Sequence, residues 1–358
     1  MIPNKKPYII VETAFHHEGD VDFLSDLLDE IFSLDVQAIK FHLLFDLEDY
    51  IIESHPAKAV LENIMLSKDD ILVMLEKCKQ NNIDIILLAN DLESLKWINS
   101  IKDDFPIVGV ELHSTGLNDI FLLQECINFD KTIILGVGGS TFDEISFAID
   151  FLKENGKADL LLMHGFQNYP TNFSDINLRR MDFYNNSFGL PVGYADHTDP
   201  LNSLNTLISI LPQAMGHNIL EKHVTHKFGE KRIDAQAAIS IENLKEIIFA
   251  SKAAFQSVGC NNLVFSEAEK NYGNTGPMKK ALVAREDLPK GTQITLNNLA
   301  FKRTEESSPL SQKDLYKILN GQTTNDIKKD EILSFSNISY SFNKADFSQF
   351  FISKTNNK

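Results

Sequence analysis

A (β/α)8 barrel followed by a small, mostly β module is the architecture that this sequence of 358 residues predicts. Three observations point to it. Short apolar runs recur along the first 260 residues, and amphipathic stretches of helical period lie between them. After about residue 260 the pattern changes to short strand-like pieces separated by turn signals.

The runs, in order, are 8-YIIVE-12, 36-VQAIKF-41, 83-IDIILLA-89, 107-IVGVEL-112, 132-TIILG-136, 159-DLLLMH-164, 191-PVGYAD-196 and 219-ILEKHV-224. They are too short for helices. Several are continuously apolar rather than alternating, which is the pattern of parallel strands covered on both faces. Stretches such as 20-DVDFLSDLLDEIFSL-34 and 141-TFDEISFAIDFLKEN-155 supply the helices between them. An open doubly wound sheet is the alternative, but no GxGxxG follows the first run. The expected organisation is a barrel over residues 1–260, a linker over 261–278 and a mostly β module over 279–352, carried by 281-ALVAREDLPKGTQITLNNLAFKR-303 and 315-LYKILNGQTTNDIKKDEILSFSNI-338.

Composition narrows the class. Apolar residues make up 43% of the chain, enough for a large core. The net charge of -16, without a basic cluster, argues against nucleic acid or an anionic membrane surface as partner. Three scattered cysteines without a CxxC suit a reducing cytoplasm and give no disulfide framework. The N-terminal apolar stretch is too short for a signal peptide, and no apolar run reaches the roughly 20 residues of a membrane span. The expectation is a soluble cytoplasmic protein.

Active sites of such barrels lie at the C-terminal ends of the strands. Those ends carry Glu12, Lys40, Asn90 with Asp91, Glu111 with His113, Gly136, His164, Asp196 with His197, and His223. A single histidine there is more often a hydrogen-bonded core residue than a ligand. Two histidines ending neighbouring strands are different: strands lie about 4.8 Å apart, so His197 and His223 can share one divalent cation with positions left open for water. The loop 136-GVGGS-140 has two readings, an anion-binding turn or an ordinary tight turn with Ser140 or Thr141 as helix N-cap. Asp234 reads as a general base, a substrate ligand or a solvated loop acid.

The stretches 10-IVETAFHHEGD-20, 38-AIKFH-42, 111-ELHSTGLND-119, 169-YPTNFSDINL-178, 193-GYADHT-198 and 219-ILEKHVTHKFGEKRIDA-235 resemble the sialic acid synthase family of N-acetylneuraminate, legionaminate and pseudaminate synthases. The C-terminal module resembles the antifreeze-like, or SAF, domain of those enzymes through 279-KKALVAREDLPKG-291 and 321-GQTTNDIKKDEIL-333. The resemblance implies a metal-dependent condensation of phosphoenolpyruvate with an N-acylated amino sugar of mannosamine type. The products are a nonulosonic acid and phosphate. It implies Mn2+ or Mg2+ on His197 and His223, catalytic roles for Glu12 and Asp234, and substrate contacts from Lys40, Ser114, Gln167, Tyr169 and Asp196. It also implies a domain-swapped homodimer.

The chain departs from the family pattern mainly on the phosphate side. Glu111 stands where the family has a second anion-binding lysine, and Leu88, Gly136, Gln167 and Ala195 replace polar family residues. Lys279 or Lys280 replaces an arginine that reaches the partner subunit's site, and the first loop reads 16-HHEG-19. Two alternatives therefore stay open: a metal-dependent aldolase, lyase or epimerase that no longer uses phosphoenolpyruvate, and a non-catalytic sugar-binding relative.

Overall fold

A computed structural model of the chain describes residues 2–3, 5–166, 168–259, 263–274, 279–306 and 308–339. The chain divides into two compact units, Met1–Gly259 and Cys260–Lys358.

The first unit is a closed parallel barrel. Its strands are β1 (Tyr8–Glu12), β2 (Ala38–Leu43), β3 (Asp84–Ala89), β4 (Ile107–Leu112), β5 (Thr132–Gly136), β6 (Leu160–His164), β7 (Val192–Asp196) and β8 (Ile219–Thr225). Each pairs with the next, and β1 pairs with β8 from Tyr8↔Ile219 to Glu12↔His223, which closes the ring. All but one of the predicted runs fall within a residue of an observed strand at each end. The exception is β2, expected over 36–41. It starts at Ala38, in register with Ile10, and continues through His42 and Leu43. The polarity of His42 had hidden that extension.

Long helices follow the strands. α1 (Val21–Ile31) shows the logic: Asp20 caps its first turn, and Phe23, Leu24, Leu27, Leu28 and Ile31 make a buried stripe at i, i+4 and i+8 spacing. α2 (Lys68–Gln80) begins with a Ser67–Asp70 capping box. α3 (Leu92–Ile101), α4 (Ile120–Cys126), α5 (Phe142–Glu154), α6 (Arg179–Phe188), α7 (Asn205–Ala214) and α8 (Ile241–Val258) complete the outer ring. Their apolar faces and the outward strand residues form one core layer, which contains Ile9, Val11, Leu27, Ile39, Leu87 and Leu135. A second cluster fills the barrel itself and includes Ile2, Tyr8, Ile10, Ala38, Ile86, Ile134 and Leu161. Cys78 and Cys126 are buried free thiols in the outer layer, and burial pushes the Cys78 thiol up to about 12. Cys260 lies outside the described residues. Among them, no helix is long and apolar enough to cross a membrane.

In the second unit, β9 (Lys280–Ala284) pairs antiparallel with β10 (Leu299–Arg303), and β11 (Gln322–Thr323) pairs antiparallel with β12 (Ile338–Ser339). Two similar turns, 287-DLPKG-291 and 326-DIKKD-330, face each other through a Leu288↔Ile327 bridge. Around it Leu282, Leu288, Ile294, Ile327, Leu333 and Ile338 make a separate small core. The stretch expected as linker is not structureless, because it carries a short helix, Glu267–Asn274.

Candidate active site at the barrel mouth

Strand alternation decides which side chains enter the barrel. Ile10, Ala38, Ile86, Ile134 and Ile219 point into it. Their i+2 neighbours Glu12, Lys40, Leu88, Gly136 and Glu221 therefore do too, Glu111 follows Gly109, and His223 follows Glu221. The mouth is thus a polar layer on an apolar plug.

Lys40 is the hub of that layer. Its Nζ lies 2.7 Å from Glu221, 3.0 Å from Glu111 and 3.2 Å from Glu12. An ammonium has three N–H donors, and three carboxyls surround this one. Burial favours a neutral Lys40, but Glu111, Glu12 and Glu221 outweigh it and push its pKa up. Burial also works against charge on Glu12, yet Lys40, His223 and His42 hold its carboxyl well below the usual range. Glu221 is driven the other way, by burial and then by the Glu12 charge, so its protonated form is favoured. Burial raises Glu111 as well, against the pull of Lys40.

Glu12 links this hub to the histidines. One oxygen meets Nε2 of His42, and the other lies 3.4 Å from Nε2 of His223. The ring centroids of His197 and His223 are 5.0 Å apart. Tyr169 stands edge-on 5.3 Å from His197 and 6.0 Å from His223, and His16 is 5.6 Å from His223. Burial keeps both imidazoles neutral: His197 is lowered to about 4, and His223 lies well below its ordinary value. Nδ1 of each ring is buried without a hydrogen-bond partner. Two neutral imidazoles with spare nitrogens fit a divalent cation of borderline softness. Among the described residues, no cluster of three or more His, Cys, Asp or Glu side chains is arranged to hold a metal. Such an ion would take two protein nitrogens and leave its other positions to water and substrate.

The loop after β8 closes one side of the mouth. Arg232 donates to the His16 carbonyl at 3.2 Å and lies 3.8 Å over the Phe23 ring. The Ile233 N–H donates to Glu18 at 2.8 Å, and the Phe15 N–H donates to Asp234 at 3.4 Å. Asp234 has a left-handed backbone, φ +63, and is half-buried. Its charge, after burial, helps hold the Tyr169 hydroxyl above its ordinary pKa.

A small cavity of about 20 Å³ sits over Lys40, and Ser114, Gly136, Gly138 and Ala195 are among its lining residues. The glycines serve close backbone packing here. A Cβ on Gly138 would stand 1.9 Å from the Gly165 carbonyl oxygen, and one on Gly136 would stand 2.9 Å from the Ser114 nitrogen. Thr141 caps α5 in a reciprocal box with Glu144. Thr141 is thus one of the two N-caps that the tight-turn reading of GVGGS named.

Other predicted residues sit elsewhere. Asp196 was expected to touch substrate, but alternation turns it away from the cavity that Ala195 and His197 line. Its carboxylate pairs with Lys222 at 2.7 Å, both side chains being 0% exposed, and it accepts from Ser209 of α7. His164 faces outward, bonded to the Ile176 carbonyl at 2.8 Å, a core histidine. Asn90 donates to the Leu43 carbonyl, and Asp91 caps α3. Gln167 lies outside the described residues. The sequence reading missed Glu221 and His42. Counting by two from the inward apolar residues finds Glu221, and extending β2 by two residues finds His42.

Comparison with known proteins shows the family and the fold. Residues 44–262 match the NeuB family, and residues 279–339 match the SAF domain. The chain is 25% identical over 347 residues to N,N'-diacetyllegionaminic acid synthase of Campylobacter jejuni, covering 92% of this chain and 99% of that protein. It is 24% identical over 363 residues to N-acetylneuraminate-9-phosphate synthase of Drosophila melanogaster, covering 90% and 94%. In structure it resembles spore coat polysaccharide biosynthesis protein E of Chromobacterium violaceum, with a TM-score of 0.77 at 21% identity over 93% of this chain and 100% of the other. The chain belongs to the NeuB family, its barrel followed by a SAF domain.

Proposed function

We propose that the protein condenses phosphoenolpyruvate with an open-chain, N-acylated amino sugar of mannosamine type, giving a nonulosonic acid and phosphate. The observation that carries this reading is the neutral His197–His223 pair beside Glu12 and Tyr169 at the barrel mouth. Its context supports it, since relatives aligned over nine-tenths of the chain are named as synthases. His197 and His223 are the residues to hold Mn2+ or Mg2+, which supplies Lewis-acid polarisation of a carbonyl oxygen. C3 of phosphoenolpyruvate bonds to the aldehyde carbon, water adds at C2, and phosphate leaves. Glu12, kept ionised, is the base for that water. Asp234 and Tyr169 orient the sugar, while Lys40 and Ser114 face the three-carbon donor.

One observation favours a second reading. Lys40 is already neutralised by carboxyls of its own chain, which suits a metal-dependent aldolase or lyase working without phosphoenolpyruvate. Incubation with phosphoenolpyruvate, Mn2+ and a panel of N-acylated mannosamines separates the two. Phosphate released one-for-one with a new acid supports the condensation. No phosphate, with reversible carbon–carbon cleavage of a nonulosonic acid, establishes the second. We further propose a homodimer in which Lys279 or Lys280 reaches the partner subunit's site. A monomer by light scattering contradicts it.

A further inference from the structure

We propose that the buried Asp196–Lys222 ion pair is a positioning device that sets the two imidazoles of the mouth. The inference rests on the reading of His197 and His223 as metal ligands. Asp196 and Lys222 are register partners on β7 and β8, so each ligand follows immediately after one member of the pair. The two side chains meet at 2.7 Å on the outer side of the sheet, fully buried. The pair therefore joins the two ligand-bearing strands one residue before their ligands.

The Asp196 carboxylate does more than pair. One oxygen accepts from the Thr198 N–H at 2.9 Å and from the Tyr194 hydroxyl at 3.2 Å, and the other accepts from Lys222 and from the Ser209 hydroxyl. The bond to Thr198 spans His197, so the backbone that carries the ligand is held in a turn around it. The Thr171 N–H donates to the His197 carbonyl at 2.9 Å and fixes the same peptide from the other side.

Two physical arguments assign the pair to positioning rather than to stability. Replacing a buried ion pair by well-packed apolar residues is often neutral or stabilising, so fold stability alone does not account for it. The backbone that carries His197 is fixed by Asp196 on one side and by Thr171 on the other, so the pair acts on the ring through the chain that bears it.

The test uses the full-length protein with Mn2+ and Co2+ as probes. Asp196→Leu combined with Lys222→Met removes both charges at once. Thr198, Tyr194 and Ser209 lose their acceptor as well, so the melting temperature of this double variant is expected to fall, and metal binding is measured well below it. Its Mn2+ dissociation constant is expected to rise about 10- to 100-fold, the usual cost of losing an outer-layer partner, and the Co2+ absorption spectrum to shift. Asp196→Glu keeps the charge but lengthens the arm. A weakened Mn2+ affinity is expected there too, with an unchanged melting temperature, and this variant decides the matter if the double variant does not fold. Wild-type affinity and spectrum in a folded variant overturn the inference. His197→Ala and His223→Ala tell the two failures apart. If they bind Mn2+ like the wild type, the ligand reading itself is wrong; if they lose it while the pair variants do not, only the positioning role is.

Discussion

On the β7–β8 side of the mouth, two imidazoles are buried, neutral and short of hydrogen-bond partners. On the β2–β4 side, a lysine is buried just as deeply but has three carboxyls within 3.2 Å. Both sides are built from inward-facing residues near the ends of parallel strands. The difference lies in whether the protein leaves its own groups unsatisfied. Imidazole nitrogens without a protein partner can serve an ion from outside, whereas the acids around Lys40 occupy the donors that an anionic substrate needs. A lysine at a substrate-binding position therefore predicts anion affinity only after its intramolecular competitors have been counted.

The largest effect on ligand affinity should come from relieving that competition. Glu111→Lys replaces an attractive partner of Lys40 with a second cation. At an effective dielectric near 20, one charge pair at 4 Å amounts to about 4 kcal/mol. We expect phosphoenolpyruvate, titrated calorimetrically with Mn2+ present, to bind on the order of 100-fold more tightly than to the wild type. Equal affinity would show that the acids do not control the lysine side.

The largest effect on stability concerns two histidines beside the mouth that do not join the imidazole pair. Burial lowers His17 and His113 to about 4. A histidine lowered on folding stays neutral in the native state and takes up its proton on unfolding, so between about pH 6.5 and pH 4 the unfolded chain binds more protons. Stability should therefore fall as pH drops through that window, by about 1.4 kcal/mol per unit of each shift. Urea midpoints measured across it should slope, and His113→Gln should flatten the slope. A slope identical to the wild type would mean that His113 titrates normally in the folded protein.

The smallest effect tests the turn beside the cavity. Thr141→Ala removes the cap of α5 and should cost about 1 kcal/mol of stability. Affinity for phosphoenolpyruvate should not change, because Thr141 and Glu144 already satisfy the first turn. Weaker binding in this variant would give the GVGGS loop an anion-binding role after all.

Most of the barrel was legible because doubly covered parallel strands leave continuous apolar runs between helical stripes. What the sequence hid follows from alternation. Asp196 and His197 are neighbours, so they cannot both enter the barrel, and the aspartate serves the outer layer instead. Glu221 sits inside a run that ends in a more conspicuous histidine. His42 was lost because the end of a strand is set by its pairing partner rather than by local polarity. The carboxyl hub around Lys40 joins four strands, and no local window of sequence contains it.

The most direct test of the account is Mn2+ binding followed by electron paramagnetic resonance. The wild type should bind one Mn2+ per chain with hyperfine coupling to two imidazole nitrogens, and His197→Ala and His223→Ala should each lose one coupling and most of the affinity. Wild-type protein that takes up no Mn2+, or single variants with unchanged spectra, would contradict it.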